Sequence, residues 1–483
     1  CLSESVFAIA PGSIIMSSST MKHLFCCILT CILSASLSAA PDRPNIIIIL
    51  SDDQGYGDVG FNGGTDIPTP HLDRLARDGT IFTAGYATHP YCSPSRAGLM
   101  AGRNQQRFGH ENNTPYGHDD PEAGLPLDEL MLSEVLQSNG YATAAIGKWH
   151  LGDFPKFWPN NRGFDYWYGM YSGGMSYWGD QKIKSRPMDR ILRNGEIVPM
   201  DEITYLTDNF TDEAINFIDR RIEDPFFIYL AYNAPHGPIH ATSDYLSQTE
   251  HIEDGRRAAY AGLVVGLDAG VGRVVDKLKA EGIYDNTLII YYSDNGAMRS
   301  GASSAPYRGF KGMLFEGGIR VPFSVTWGNR FQSQRVSDEP VTALDIFPTV
   351  LNAAGIEQSA KPNLEGQDLT AMLTGKTTSL PARELYWRVS DGAGYAVRQG
   401  DFKYVHSIFK PKPFLFNLRG DPYEHDNLIE SMPAKAKKLK SLYTRWNKNN
   451  VPAKWQDPHF ANRDKEMKGR QDFIDKAKAG EKR

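Results

Sequence analysis

Pro44-Asn45-Ile46-Ile47-Ile48-Ile49-Leu50-Ser51-Asp52-Asp53-Gln54-Gly55-Tyr56-Gly57-Asp58 is the stretch whose reading decides the fold. Its first half is a continuous β-branched run, the mark of a strand buried on both faces of a parallel sheet. Its second half turns acidic at once. In open α/β sheets ligands bind beyond the carboxyl ends of the strands, and Asp52 and Asp53 stand there. Adjacent carboxylates repel, so the placement is costly unless a cation or hydrogen-bond donors compensate. A turn with solvated aspartates is the plainer alternative.

The same grammar recurs along the chain. Tyr141 to Ile146 reads as a strand running into Gly147-Lys148-Trp149-His150-Leu151-Gly152. Lys148 and His150 are two apart, so in an extended segment they point to the same side. Pro225 to Leu230 reads as a buried strand ending in Asn233-Ala234-Pro235-His236-Gly237-Pro238. Thr287 to Tyr292 does the same before Ser293-Asp294-Asn295-Gly296, and Arg308-Gly309-Phe310-Lys311-Gly312 then sets a lysine among glycines. Val321 to Trp327 makes one more strand. Helical patterns stand between them: Thr69 as N-cap of a helix through Ala76, about Asp128 to Ser138, Thr207 to Ile222, Gly255 to Ala280 and Thr342 to Ala354.

Between the first two strands lies Tyr91-Cys92-Ser93-Pro94-Ser95-Arg96, running on to Gly102. Pro94 presets φ for a first helical turn, and Gly102 can take the left-handed conformation that ends a helix. Cys92 is therefore expected at or just before a helix N-terminus, where unpaired N–H groups favour an anion. Arg96, one turn on, reaches the same end.

Composition narrows the field. A chain of 483 residues with 41% hydrophobic content can bury a large core in one or two domains. A net charge of −5 argues against a nucleic-acid partner. No apolar run reads as an integral membrane span. The chain begins at Cys1, and from Met21 it reads as a secretion signal: Lys22, an apolar Leu24 to Leu33, then small residues Ser34 to Ala40. An exported protein, periplasmic or extracellular, is expected. Cys31 as a lipid anchor fits poorly behind Thr30. Loss of the leader takes Cys1, Cys26, Cys27 and Cys31, leaving Cys92 alone and no internal disulfide. A buried, inert cysteine is the bland reading; neighbours Pro, Ser and Arg argue against it.

Phe154 to Trp178 is crowded with aromatics, most of them expected to pack and one or two to line a cleft. After about Pro362 the texture changes to short strands, Glu384 to Arg388, Gly394 to Arg398, Phe402 to His406 and Phe414 to Asn417, then a basic helix from about Ala434 to Trp446. The expected organisation is an upstream segment and leader over 1–40, an α/β domain over 41–361, a smaller α+β domain over 362–463 and a charged tail over 464–483.

The strand ends collect two sets of groups. Asp52, Asp53, Asp294 and Asn295 offer hard oxygens, which suit calcium and leave magnesium open. The absence of histidine among them argues against zinc. Arg96, Lys148, His150, His236 and Lys311 form a cationic or proton-carrying set suited to a substrate with charged oxygens.

Cys92-Ser93-Pro94-Ser95-Arg96 resembles the C-x-P-S-R motif of the type I sulfatases. The blocks around Asp52, Lys148, Asn161-Arg162-Gly163-Phe164-Asp165, His236, Asp294 and Lys311 are similar to that family's in order, as are Ala396 to Tyr404 and Leu415 to Pro422. The resemblance spans nearly all of 44 to 430. It implies an alkaline-phosphatase-like α/β fold with a mostly parallel central sheet and a small C-terminal α+β domain built on an antiparallel sheet. It further implies a sulfuric ester hydrolase whose Cys92 is oxidised to formylglycine (3-oxoalanine) by a formylglycine-generating enzyme or anaerobic maturase. One calcium would be held by Asp52, Asp53, the residue at Cys92, Asp294 and Asn295. In that scheme Arg96 and Lys148 orient the hydrated aldehyde, and Lys148 and Lys311 neutralise sulfate oxygens. His236 is the general acid, His150 takes the proton of the second hydroxyl, and Asp294 is a further proton acceptor. The texture resembles arylsulfatase and N-acetylgalactosamine-6-sulfatase types, implying a sulfated carbohydrate or aryl sulfate as substrate. Phosphonate monoester and phosphodiester hydrolases share C-x-P-x-R chemistry, and a secreted binder of sulfated glycans without turnover is the non-enzymatic alternative.

Overall fold

The computed structural model describes residues 43–457, apart from 116–119, 180–189, 332, 361–362, 409 and 411. The leader with Cys1, Cys26, Cys27 and Cys31, and the charged tail over 464–483, lie outside the described residues.

The strands in chain order are β1 (Asn45–Ser51), β2 (Thr80–Phe82), β3 (Gly85–Tyr86), β4 (Ala142–Lys148), β5 (Tyr166–Met170), β6 (Leu192–Arg193), β7 (Glu196–Ile197) and β8 (Phe226–Ala231). They continue as β9 (Thr287–Ser293), β10 (Phe323–Thr326), β11 (Arg335–Ser337), β12 (Val341–Thr342), β13 (Glu384–Val389), β14 (Gly394–Gln399), β15 (Phe402–His406) and β16 (Phe414–Asn417). One sheet runs β11-β2-β10-β9-β1-β8-β4-β5-β6-β7, and β13 to β16 form a separate four-stranded antiparallel sheet. At the centre, β9, β1, β8, β4 and β5 are parallel neighbours.

β1 explains the architecture. Ile46, Ile48 and Leu50 enter the apolar layer on one face, while Ile47 and Ile49 enter the layer on the other. A strand buried on both sides needs no polar alternation, which is why its run is unbroken. The helices Cys92–Ala101, Leu132–Ser138 and Ile346–Ala353 cover the first face; Pro70–Arg77, Leu206–Arg220 and Gly255–Ala280 cover the second. The helix Gly255–Ala280 is long and apolar enough to cross a membrane, a property missed by scanning the sequence for apolar runs. Its Leu263, Leu267, Val271 and Val274 are instead fully buried against the sheet.

Several local expectations change. Val321 to Trp327 contracts to β10, which pairs antiparallel with β9. The helix expected from Asp128 starts at Leu132, because Glu134 turns back to accept from Met131 N at 2.7 Å and fixes the first turn there. Thr69 does not cap its helix. Its hydroxyl accepts from Gly60 N and donates to Asp73, while Asp268 of the long helix accepts from His71 N and Leu72 N. A carboxylate nearly two hundred residues away in the chain therefore satisfies the N–H groups left open at that helix end.

The small sheet packs one face on Tyr86, Phe315 and Ile319 through Trp387, Ala396, Val405 and Phe416. Its other face carries the helix Pro433–Asn447. Between sheet and body lies a buried ionic cluster in which Lys403 Nζ donates to Glu316 at 2.7 Å and Glu424 at 2.9 Å.

Candidate active site

Register brings the strand ends to one edge. Ser51 of β1 pairs with Ser293 of β9, Leu50 with Ala231 of β8, and Ala231 with Gly147 of β4. The next residues of each strand therefore emerge side by side: Asp52 and Asp53, Asp294 and Asn295, the loop to His236, and Lys148. Gly147 lets β4 come close, since its φ is +105° and an added Cβ would stand 1.9 Å from Ala231 O.

The helix Cys92–Ala101 enters from the face of Leu50, with Tyr91 as extended N-cap and Gly102 left-handed at φ 62°. Cys92 is thus delivered, buried, to the same edge. Its Sγ lies 3.5 Å from Asp52 Oδ1 and 3.7 Å from Asp53 Oδ1, and Lys311 Nζ donates to it at 3.0 Å. Lys311 also pairs with Asp53 at 2.5 Å, and Lys148 with Asp52 at 2.5 Å. Arg96 grips Asp294 through Nε at 3.0 Å and a second nitrogen at 2.9 Å, and donates to Lys148 O at 2.9 Å. His236 Nε2 lies 3.6 Å from Asp53 Oδ2. Asn295 Nδ2 donates to Asp53 Oδ1 at 2.8 Å.

His150 departs from the expected alternation. β4 ends at Lys148 and His150 takes φ 58°, so the two side chains are not related by an extended repeat. Lys148 turns to Asp52, while the buried His150 ring lies against Gly173, where a Cβ would sit 2.7 Å from it.

Electrostatics follow from this packing. Burial pushes the Cys92 thiol well above its ordinary range, against the pull of Lys148 and Lys311. Burial also lifts Asp53, yet the charges of Lys311, His236 and Lys148 outweigh it and hold the carboxyl well below the usual range. Asp294 is raised to about 6 by burial and by the negative charge of Asp52, with Arg96 opposing. His236 is lowered to about 3, first by burial and then by the two lysines, against the attraction of Asp53.

Some participants were not singled out from sequence. Tyr229 accepts from Arg96 at 3.4 Å; it sits within β8, an unbroken buried run in which nothing marks its hydroxyl. Ser93 Oγ meets His110 Nε2 at 2.6 Å, and Ser93 N donates to Asn113 Oδ1 at 3.2 Å, fixing the turn that carries Cys92. Tyr177 OH reaches the carbonyls of Asn233 and His236 at 3.0 and 2.9 Å, bracing the loop of His236. Most of the other aromatics between 154 and 178 simply pack: Phe157, Phe164, Trp167, Tyr168 and Tyr171 are buried.

A family model described as Sulfatase matches residues 44–356. The chain belongs to the sulfatase family. A second model, the C-terminal region of N-sulphoglucosamine sulphohydrolase, matches residues 309–450 of this sulfatase. The N-acetylgalactosamine-6-sulfatase of Sus scrofa is 36% identical over 369 residues, covering 71% of this chain and 69% of that protein. The uncharacterized sulfatase YdeN of Escherichia coli K12 is 30% identical, covering 85% and 86%. Among solved structures, Ps i-CgsB superposes with a TM-score of 0.81 at 36% identity, over 87% of this chain and 96% of that one; it is also known in complex with k-i-k-neocarrahexaose. The protein is accordingly a type I sulfatase of the alkaline phosphatase superfamily, a sulfuric ester hydrolase.

Proposed function

We propose that this sulfatase hydrolyses a sulfate monoester on a carbohydrate, using formylglycine matured from Cys92 and a calcium ion. One observation carries the reading: the buried Cys92 sulfur stands within 3.7 Å of two carboxylates and an ammonium group. The relatives named for N-acetylgalactosamine-6-sulfate and solved with a neocarrahexaose support a sugar as leaving group.

The donor set fits a hard cation. Asp52, Asp53, Cys92 and, against the expectation of a set without histidine, His236 bring ligand atoms within 4.8 Å of one another, and Asn295 Oδ1 is buried with no hydrogen-bond partner. Asp52, Asp53, Asp294 and Asn295 would hold the metal, together with residue 92. When bound, it supplies Lewis-acid polarisation to the nucleophile and to a sulfate oxygen.

The chain's own residues do the rest. Lys148 and Lys311 carry positive charge on both sides of the nucleophile, where the oxygens of a sulfate group gain charge during transfer. Arg96 fixes Asp294 and the end of β4 through Lys148 O. His236 Nδ1 lies 2.6 Å from Gly237 O, a carbonyl that only accepts, so Nδ1 holds a proton and Nε2 is the exchanging atom. As general acid, His236 would take up a proton at Nε2, which stands 3.6 Å from Asp53 Oδ2, and pass it to the leaving oxygen. His150 is assigned the later proton, and the secretion-signal pattern from Met21 to Ala40 supports a reaction outside the cytoplasm after maturation of Cys92.

The test is peptide mass spectrometry over Cys92 after co-expression with a formylglycine-generating enzyme, with sulfate release from galactose, glucosamine and fucose sulfates and an aryl sulfate. The expected result is thiol replaced by aldehyde and chelator-sensitive sulfate release from a sugar. Release from the aryl ester alone refutes the carbohydrate reading. A matured protein that prefers an aryl phosphodiester refutes the sulfate reading.

A further inference from the structure

Beyond Asn295 the chain makes a loop, 297–310, closed at its base where Lys311 N donates to Ala297 O at 2.9 Å. Met298 N is bonded to Asp53 O at 3.2 Å, and the Met298 methyl group lies 3.7 Å from where a Gly237 Cβ would stand. The loop base therefore touches the backbone of Asp53 and the turn next to His236. Its far side is pinned as well. Asp58 accepts from Ser303 N at 2.9 Å, and Arg257 donates to Gly301 O at 2.8 Å. The loop is held rigidly on the side from which a leaving alcohol would be protonated.

This loop lines an open cavity of about 610 Å³. Arg299 is the charged residue lining it, and no carboxylate does, among the described residues. Arg299 is an exposed residue whose guanidinium lies 4.3 Å over the Phe310 ring, with no ion pair to any described carboxylate. Arg257, Arg308 and Arg320 nearby are all tied down, to Asp58 and Asp66, to Glu424 O, and to Glu316 respectively. Tyr307 stands on the same wall, with Tyr423 at 6.3 Å between ring centroids. An unneutralised guanidinium prepositioned on an aromatic face, beside further aromatic surface, matches a sugar that carries an anion of its own.

We infer that the 297–310 cavity is a subsite for a second anionic substituent of the carbohydrate, a sulfate or a carboxylate, bound by Arg299. The inference rests on the carbohydrate reading above. It makes this enzyme selective for multiply charged saccharides over singly sulfated ones. The fork of Arg299 binds two oxygens of the second group while Phe310 keeps the guanidinium plane fixed.

The experiment compares the matured full chain with Arg299→Ala, Arg299→Lys and Arg299→Glu on three kinds of probe. These are 4-nitrophenyl sulfate, singly sulfated monosaccharides, and saccharides with a second sulfate or a uronic acid next to the sulfated ring. Arg299→Ala is expected to lower kcat/KM on a doubly charged saccharide by roughly 10- to 100-fold more than on 4-nitrophenyl sulfate. Arg299→Lys should keep part of the preference and Arg299→Glu should invert it. Which doubly charged probe loses most identifies sulfate or carboxylate. Equal losses on sugar and aryl ester, or a wild-type preference for singly sulfated sugars, overturn the subsite while leaving the carbohydrate reading intact. Turnover of the aryl ester with no sugar cleaved overturns both.

Discussion

Arg96 offers the sharpest test of how the site is held. Its side chain is fully buried and so is that of Asp294, and their closest approach is 2.9 Å. Asp52 adds a second carboxylate 3.7 Å from the same guanidinium. Removal of one partner of a buried pair leaves an uncompensated charge and costs about 3–5 kcal/mol. In a chain of this size that corresponds to roughly 3–5 °C in Tm. Asp294 is already raised to about 6 by burial and Asp52, and loss of Arg96 takes away the cation that opposes that rise. Arg96→Ala, unfolded by urea at pH 7 in chelator, should therefore lose about 3–5 kcal/mol. Asp294→Asn added to it removes one buried negative charge and should recover a coupling of roughly 1–3 kcal/mol. Arg96→Lys keeps charge but not the fork and should fall between. A loss below about 1 kcal/mol, or a double variant costing the sum of the two singles, would refute the reasoning.

Two further outcomes are expected. Glu424 is raised from 4.5 to about 7 by burial and by Glu316, against Lys403, so the folded state keeps a proton that the unfolded state releases. That contribution is full below about pH 4.5 and is lost as pH rises to 7. Glu424→Gln should remove this slope, and parallel stability–pH curves for the two proteins from pH 5 to 7 would contradict it. Tyr177→Phe frees the carbonyls of Asn233 and His236 from their shared donor at a cost of about 1–3 kcal/mol. It should lower kcat about tenfold with little change in KM, because the loop it braces carries His236; an unchanged kcat would show that the loop is held by other contacts.

Much of the frame is local and so was legible. The isoleucine run of β1, the bounds of Gly255–Ala280 and the hairpins from Glu384 to Asn417 depend on burial patterns and turn residues within a few positions. So does the helix start at Cys92, set by Pro94 and closed by Gly102. Chemical types at strand ends were readable for the same reason, since a polar group directly after a buried strand stands at the sheet edge where ligands bind. What sequence could not supply was distance between separate segments. That Asp53 N meets Asp294 Oδ1 at 3.1 Å across 241 positions follows from β1 lying beside β9 in register. The antiparallel setting of β10, the capping of Pro70–Arg77 by Asp268 and the bracing of the His236 loop by Tyr177 all arise between elements far apart in the chain. His150 shows the limit most plainly: its two-residue spacing from Lys148 implied a shared side only while the strand continued, and the strand ends at Lys148. Periodicity encodes which face of an element is buried; strand order and register decide which buried groups meet, and those depend on the packing of the whole chain.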